Sequence, residues 1–252
     1  MDAAGMRGDV TMAGQLESLR ELAPGLSIWR VRHGHWHKGD DWEAVVTTTM
    51  VQARGEVALL DPIAPTEQEG ADAVWRRLDR SPPTMVVILK ADHERDADLF
   101  ARRYVARVFG PGLYWRDDLP TVPVQQIYPG MELPGGMMAL SDGRWGQETP
   151  LWLPDHRTLV FADALTERRE RLRVWSTPWD EEGPLRTLRS LLRLPFDRVI
   201  ISHGEPVHDR GAYIQALDAP PWTTPALREW ARQVQPYREL LGLGPWWVDE
   251  DD

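Results

Sequence analysis

Four places in this chain combine residue types that hold metal ions, move protons or bind anions. The densest is Asp92-His-Glu-Arg-Asp96. A second, His33-Gly-His-Trp-His37, contains three of the seven histidines. Asp163 and His203 stand alone, each directly after a short apolar run, Leu159-Val-Phe-Ala and Val199-Ile-Ile-Ser. Imidazole and carboxylate together are the ligand set of zinc, manganese or iron and also a general acid–base set. Each place has a plainer reading. Asp92–Asp96 has the composition of a solvated turn whose Asp caps a helix. If the chain is extended at 33–37, His33, His35 and His37 share one face, which suits a metal-binding comb or a polar hairpin edge.

The elements that must position these residues follow from periodicity. Met85–Leu89 is a β-branched apolar run, as a strand covered on both faces would be. Downstream of Asp96, apolar Leu99, Phe100, Tyr104 and Val105 sit among Arg and Asp at helical spacing. The charged turn therefore lies at the carboxyl end of a strand, where open α/β sheets place ligands. Leu26–Arg32, Ala44–Val51 and Glu56–Asp61 read as strands, and Pro62 ends the last of them. Glu67–Arg80, Leu185–Leu192, Ala212–Leu217 and Ala226–Leu241 read as helices. Three apolar strands thus end in His93/Asp96, Asp163 and His203, which is how one-sided α/β sites are assembled.

Composition bounds the function. With 252 residues, 42% hydrophobic, the chain buries a sizeable core. A net charge of −10 argues against a nucleic-acid partner. Cysteine is absent, which excludes thiolate nucleophiles and Cys-ligated metals. No run of 18 apolar residues and no signal-like core in Met1–Glu17 occurs, so a soluble, cytoplasmic protein without membrane contact is expected. The expected organisation is a flexible tail at 1–20, a domain at 21–222, and a C-terminal helix with an acidic tail at 223–252. Trp175, Trp179, Trp222, Trp246 and Trp247 are either ordinary core or the surface of a homo-oligomer.

The order Leu60-Asp-Pro62, apolar strand with His/Asp turn, Gly146-Gln-Glu148, Ala162-Asp-Ala164 and Ser202-His-Gly-Glu-Pro206 resembles the metallo-β-lactamase superfamily over residues 26–217. The resemblance implies an α/β fold, a four-layer αββα sandwich, with its site at one edge between two sheets. It implies that Asp61 lies below the site, that Asp163 is the metal-bridging carboxylate, and that His203 is the last metal histidine. The family's His-x-His-x-Asp-His motif, laid on Ala91-Asp-His-Glu-Arg-Asp96, keeps only its second His as His93. Its first His has become Ala91, its Asp Arg95 and its last His Asp96, and Arg144 replaces the third-strand His.

These replacements imply an eroded two-metal centre. The expected function is small-molecule binding in an Arg/His/Asp pocket, with no cofactor favoured. His93, Asp163, His203 and Arg95 form its reactive set, and Arg144, His33, His35 and His37 are ligand-binding. Arg95 is expected to form a salt bridge with Asp163 or Asp96 in the place of a metal. The alternative is a hydrolase of an ester, thioester or related bond with one Zn, Mn or Fe ion on His93, Asp96, Asp163 and His203.

Overall fold

The computed structural model describes residues 14–40, 42–66, 70–114, 119–144, 148–177 and 182–242. The first half folds into a seven-stranded sheet in sequential order: β1 (Gln15–Ala23), β2 (Leu26–Arg32), β3 (Val45–Ala53), β4 (Glu56–Leu60), β5 (Met85–Val87), β6 (Arg107–Gly110) and β7 (Val124–Gln126). Strands β1 to β4 pair antiparallel, and the β4–β5, β5–β6 and β6–β7 pairs are parallel. The parallel pairs require crossovers; α1 (Ala71–Arg80) and α2 (Ala97–Tyr104) supply the first two.

The second half adds β8 (Glu132–Leu133), β9 (Met137–Ala139), β10 (Leu151–Leu153), β11 (Thr158–Phe161) and, after a small hairpin β12 (Leu165–Arg168) and β13 (Arg171–Val174), β14 (Arg198–Ile201). They form a five-stranded sheet in the order β14-β11-β10-β9-β8, with β11 and β14 parallel. Helices α3 (Gly183–Ser190), α4 (Arg210–Asp218) and α5 (Pro225–Leu240) complete the described chain.

Strand alternation sorts the core into three layers of side chains. Leu60, Met85, Val87, Val160 and Ile200 meet between the two sheets. Leu59, Val86 and Ile88 point the other way, onto Val74 and Leu78 of α1 and Phe100 of α2. Leu159, Phe161, Val199 and Ile201 likewise face Leu188 of α3 and Tyr213 and Leu217 of α4. Helices, sheet, sheet, helices is the expected αββα sandwich.

Some boundaries differ from expectation. Residues 15–20, expected in the tail, belong to β1, because Leu16 and Leu19 pack on the outer core of the first sheet. Residues 1–13 and the acidic end 249–252 lie outside the described residues. Val105, read as part of the apolar face of α2, is instead its left-handed C-cap (φ 55°) and is 91% exposed. Among the described residues no helix is long and apolar enough to cross a membrane.

Candidate metal and ligand site

The site forms where β4, β5, β11 and β14 end at a common edge. Just past β5, Ile88 N–H still donates to the Phe109 carbonyl at 2.8 Å, and Leu89 N–H donates to Asp61 Oδ1 at 2.7 Å instead of to a neighbouring strand. Asp61 terminates β4 in the left-handed region (φ 45°), which Asp tolerates better than most residues. Its second oxygen, Oδ2, lies 2.8 Å from His93 Nδ1. One buried carboxylate thus pins both the departing strand and the ring that follows it.

His93, Asp163 and His203 come together as expected. Asp163 Oδ1 lies 3.4 Å from His93 Nε2 and 3.3 Å from His203 Nε2. One ligand atom from each residue falls within 4.8 Å of the others. Asp163 is aimed by Glu148, whose buried carboxylate accepts the N–H groups of Ala162 (2.9 Å), Asp163 (2.8 Å) and Ala164 (2.7 Å). Burial raises the pKa of Glu148 against the pull of Arg144.

The electrostatics separate the two histidines. For His93, burial and Arg95 disfavour the charge, but Asp163 and Asp61 outweigh them and hold its pKa up to about 9. For His203, burial lowers the pKa and Asp163 only partly offsets it. Burial would raise Asp163, yet Lys90 and His93 hold it well below the carboxylate range. His33 is lowered to about 3 by burial and then by Arg95 and the neighbouring imidazoles.

The cation that meets Asp163 is Lys90, not Arg95. Its Nζ lies 2.8 Å from Asp163 Oδ2 and 2.5 Å from Asp92 Oδ2. Both carboxylates raise its pKa against burial. The signal was available: a lysine directly after five apolar residues is a poor strand residue unless a carboxylate awaits it.

Other expected members are placed elsewhere. Arg95 does not pair with Asp163 or Asp96. It is buried with φ 47°, and its Nη1 donates to the Asp61 carbonyl at 3.0 Å, so it stiffens the loop under the site while still lining the pocket. Asp96 is absent from the ligand cluster because its Oδ2 accepts the Ala64 N–H at 2.7 Å. Arg144 is not in the pocket. It is buried against Asp142 (2.7 Å) and Glu148 (3.4 Å), with its guanidinium 4.6 Å from the Trp175 ring centre. Gly146 and Gln147 lie outside the described residues.

The histidine comb does not form. Residues 34 and 35 turn, with Trp36 N–H donating to the His33 carbonyl at 3.1 Å, so His35 and His37 are exposed and only His33 faces the pocket. From His33 an edge-to-face aromatic series runs through Trp42 (5.0 Å) to His203 (5.5 Å). Trp42, Trp175 and Trp222 wall a cavity of about 400 Å³, with Lys90, His93, Asp163 and His203 among its other lining residues. Trp175 and Trp222 are pocket wall, and Trp179, Trp246 and Trp247 lie outside the described residues.

Comparison with solved structures identifies the fold. The FIM-1 metallo-β-lactamase of Pseudomonas aeruginosa in its mono-zinc form aligns with a TM-score of 0.60 at 10% identity, over 82% of this chain and 96% of that one. A metallo-β-lactamase from Pontibacter korlensis aligns at 0.60 and 14% identity, over 81% and 99%. The metal-soaked Flv1 flavodiiron core of Synechocystis sp. PCC6803 aligns at 0.58 and 15% identity, over 82% of this chain and 62% of its own. No protein-family model and no curated protein sequence matches the chain. The chain has the metallo-β-lactamase fold.

The positions that the resemblance assigns to a two-ion centre do not supply its ligands. Ala91 offers no ligand, Arg95 and Arg144 are cations, and Asp96 is turned to backbone. Two of the three separations among His93, Asp163 and His203 fit one ion, and ligand atoms of all three residues lie within 4.8 Å of one another. A tetrahedral centre with arms of about 2.0–2.1 Å has edges of roughly 3.3–3.4 Å, and the two Nε2–Oδ1 separations are 3.4 and 3.3 Å. A charge-assisted hydrogen bond would close to about 2.7–2.9 Å, as the other nitrogen of the same His93 ring does with Asp61 at 2.8 Å. Asp163 Oδ1 is buried and makes no hydrogen bond.

Proposed function

We propose that this chain is a one-ion hydrolase of metallo-β-lactamase fold, acting on an ester, thioester or related bond, with His93, Asp163 and His203 as the ion's ligands. The carrying observation is the pair of 3.4 and 3.3 Å approaches onto an Asp163 oxygen that makes no hydrogen bond. A bound divalent ion would supply Lewis acidity and a water acidified toward neutral pH.

The chain's own residues do the rest. Asp61 accepts from Nδ1 of His93, which fixes the tautomer and leaves Nε2 for the ion. Glu148 holds the backbone at Ala162, Asp163 and Ala164 by three N–H bonds, which fixes the point from which the Asp163 carboxylate projects. Trp42, Trp175 and Trp222 exclude water from one side of the ligand and favour an apolar or aromatic body. Zinc and manganese content of purified and reloaded protein, together with chelator-sensitive hydrolysis of an ester and thioester panel, tests the reading. About one ion per chain with activity lost on chelation supports it.

A second reading has its own observation. Lys90 and Arg95 place two fixed positive charges beside the ligand cluster, and His93, its pKa held up to about 9, lies between Asp61 and Asp163. On that ground the pocket binds a small molecule without any ion. Protein that takes up no ion yet binds small ligands in the pocket supports this reading instead.

A further inference from the structure

Lys90 is a strongly placed charge at the site that the one-ion reading leaves without work. It leaves the sheet edge immediately after Leu89, and its side chain is 14% exposed in a pocket it helps to line. Its ammonium sits between Asp92 Oδ2 at 2.5 Å and Asp163 Oδ2 at 2.8 Å. Asp163 therefore serves two cationic centres: Oδ1 faces the histidines, and Oδ2 faces Lys90. The other oxygen of Asp92 is buried and makes no hydrogen bond. Two carboxylates that share one small volume repel unless a cation lies between them.

We propose that Lys90 is a built-in cation occupying a latent second ion site formed by Asp92 and Asp163, and that it holds an oxygen of the bound molecule. An ammonium has three donor hydrogens. Asp92 and Asp163 take two, and among the described residues no other group accepts from Nζ. The third is left for whatever enters the cavity that Lys90 lines, which selects ligands with a carbonyl or anionic oxygen. A tethered ammonium needs no uptake of a second ion from solution and cannot be removed by chelation. The proposal rests on the one-ion reading only for the ligand at Oδ1; the Lys90 clamp itself stands without it.

The test is ion stoichiometry by elemental analysis after equilibrium dialysis against manganese or zinc, for wild type, Lys90→Ala and Lys90→Arg. Lys90→Ala frees both carboxylates and is expected to hold one equivalent more than wild type. Lys90→Arg keeps a cation there and is expected to hold the same number as wild type. Adding Asp92→Asn to Lys90→Ala is expected to abolish the gain, which places the extra ion on Asp92. If Lys90→Ala does not fold, Lys90→Gln is dialysed in its place, with the same gain expected. Equal stoichiometry in wild type and the neutral variant overturns the proposal. A wild type without ions whose neutral variant gains one overturns the one-ion reading and supports the role of Lys90.

Discussion

Asp61→Asn isolates the buried carboxylate beneath the site. The side chain is 2% exposed and makes two bonds, one to Leu89 N–H and one to His93 Nδ1. Asparagine keeps an acceptor for Leu89 and tolerates φ 45°, so neither the backbone nor that bond is disturbed. What is lost is a charge-assisted bond, about 1.5–3 kcal/mol. To this is added part of the penalty for leaving the buried Arg95 and His93 less compensated, since breaking a buried pair costs about 3–5 kcal/mol. A destabilisation of roughly 2–4 kcal/mol is expected, less than the sum because the two terms overlap. At this chain size that lowers Tm by roughly 5–15 °C. Asp61→Ala strands the Leu89 N–H as well and is expected to cost a further ~1–3 kcal/mol. Urea and thermal unfolding, run with chelator present, measure both. If Asp61→Asn lies within about 0.5 kcal/mol of wild type, the range of an ordinary surface change, or if Ala is no worse than Asn, the clamp is not stabilising and the reasoning fails.

Other expectations follow from the same geometry. Arg144→Ala leaves Asp142 and Glu148 as buried carboxylates without their shared cation; a loss of about 3–5 kcal/mol in urea unfolding is expected. His35→Ala and His37→Ala change exposed turn residues and are expected to alter stability by less than about 0.5 kcal/mol, with ion content unchanged. His33 is lowered to about 3, so its neutral form is favoured by folding. Its contribution is therefore fully present above the unfolded value of about 6.5 and is lost as pH falls toward 3. Solvent at this partly exposed ring limits the effect to about 1 kcal/mol, and His33→Gln should flatten that part of the stability–pH curve.

Much of the fold was legible because strand alternation and helix spacing act locally. Met85–Val87, Thr158–Phe161 and Arg198–Ile201 are short apolar runs whose covered faces leave few alternatives. The convergence of His93, Asp163 and His203 was legible because each follows such a run at the same sheet edge. What failed were inferences about where long or flexible side chains reach. The place of Arg95 in the turn points to Asp163 or Asp96, but the left-handed backbone at φ 47° sends it under the loop to the Asp61 carbonyl. Asp96 lost its place for the same reason, since the helix start brings it to Ala64 N–H. The His33–His37 comb assumed an extended chain, whereas Gly34 and His35 turn. Lys90 was missed because its partners, Asp92 and Asp163, are 2 and 73 residues away and only folding joins them.

The most direct measurement is anomalous scattering from a crystal of the reloaded protein, collected at the zinc or manganese edge. One ion peak is expected per chain, bounded by His93 Nε2, Asp163 Oδ1 and His203 Nε2, with Lys90 Nζ still seated on Asp163 Oδ2. No peak after loading, with His93 closed onto Asp163 at hydrogen-bond distance, or two peaks sharing Asp163, would contradict the one-ion centre.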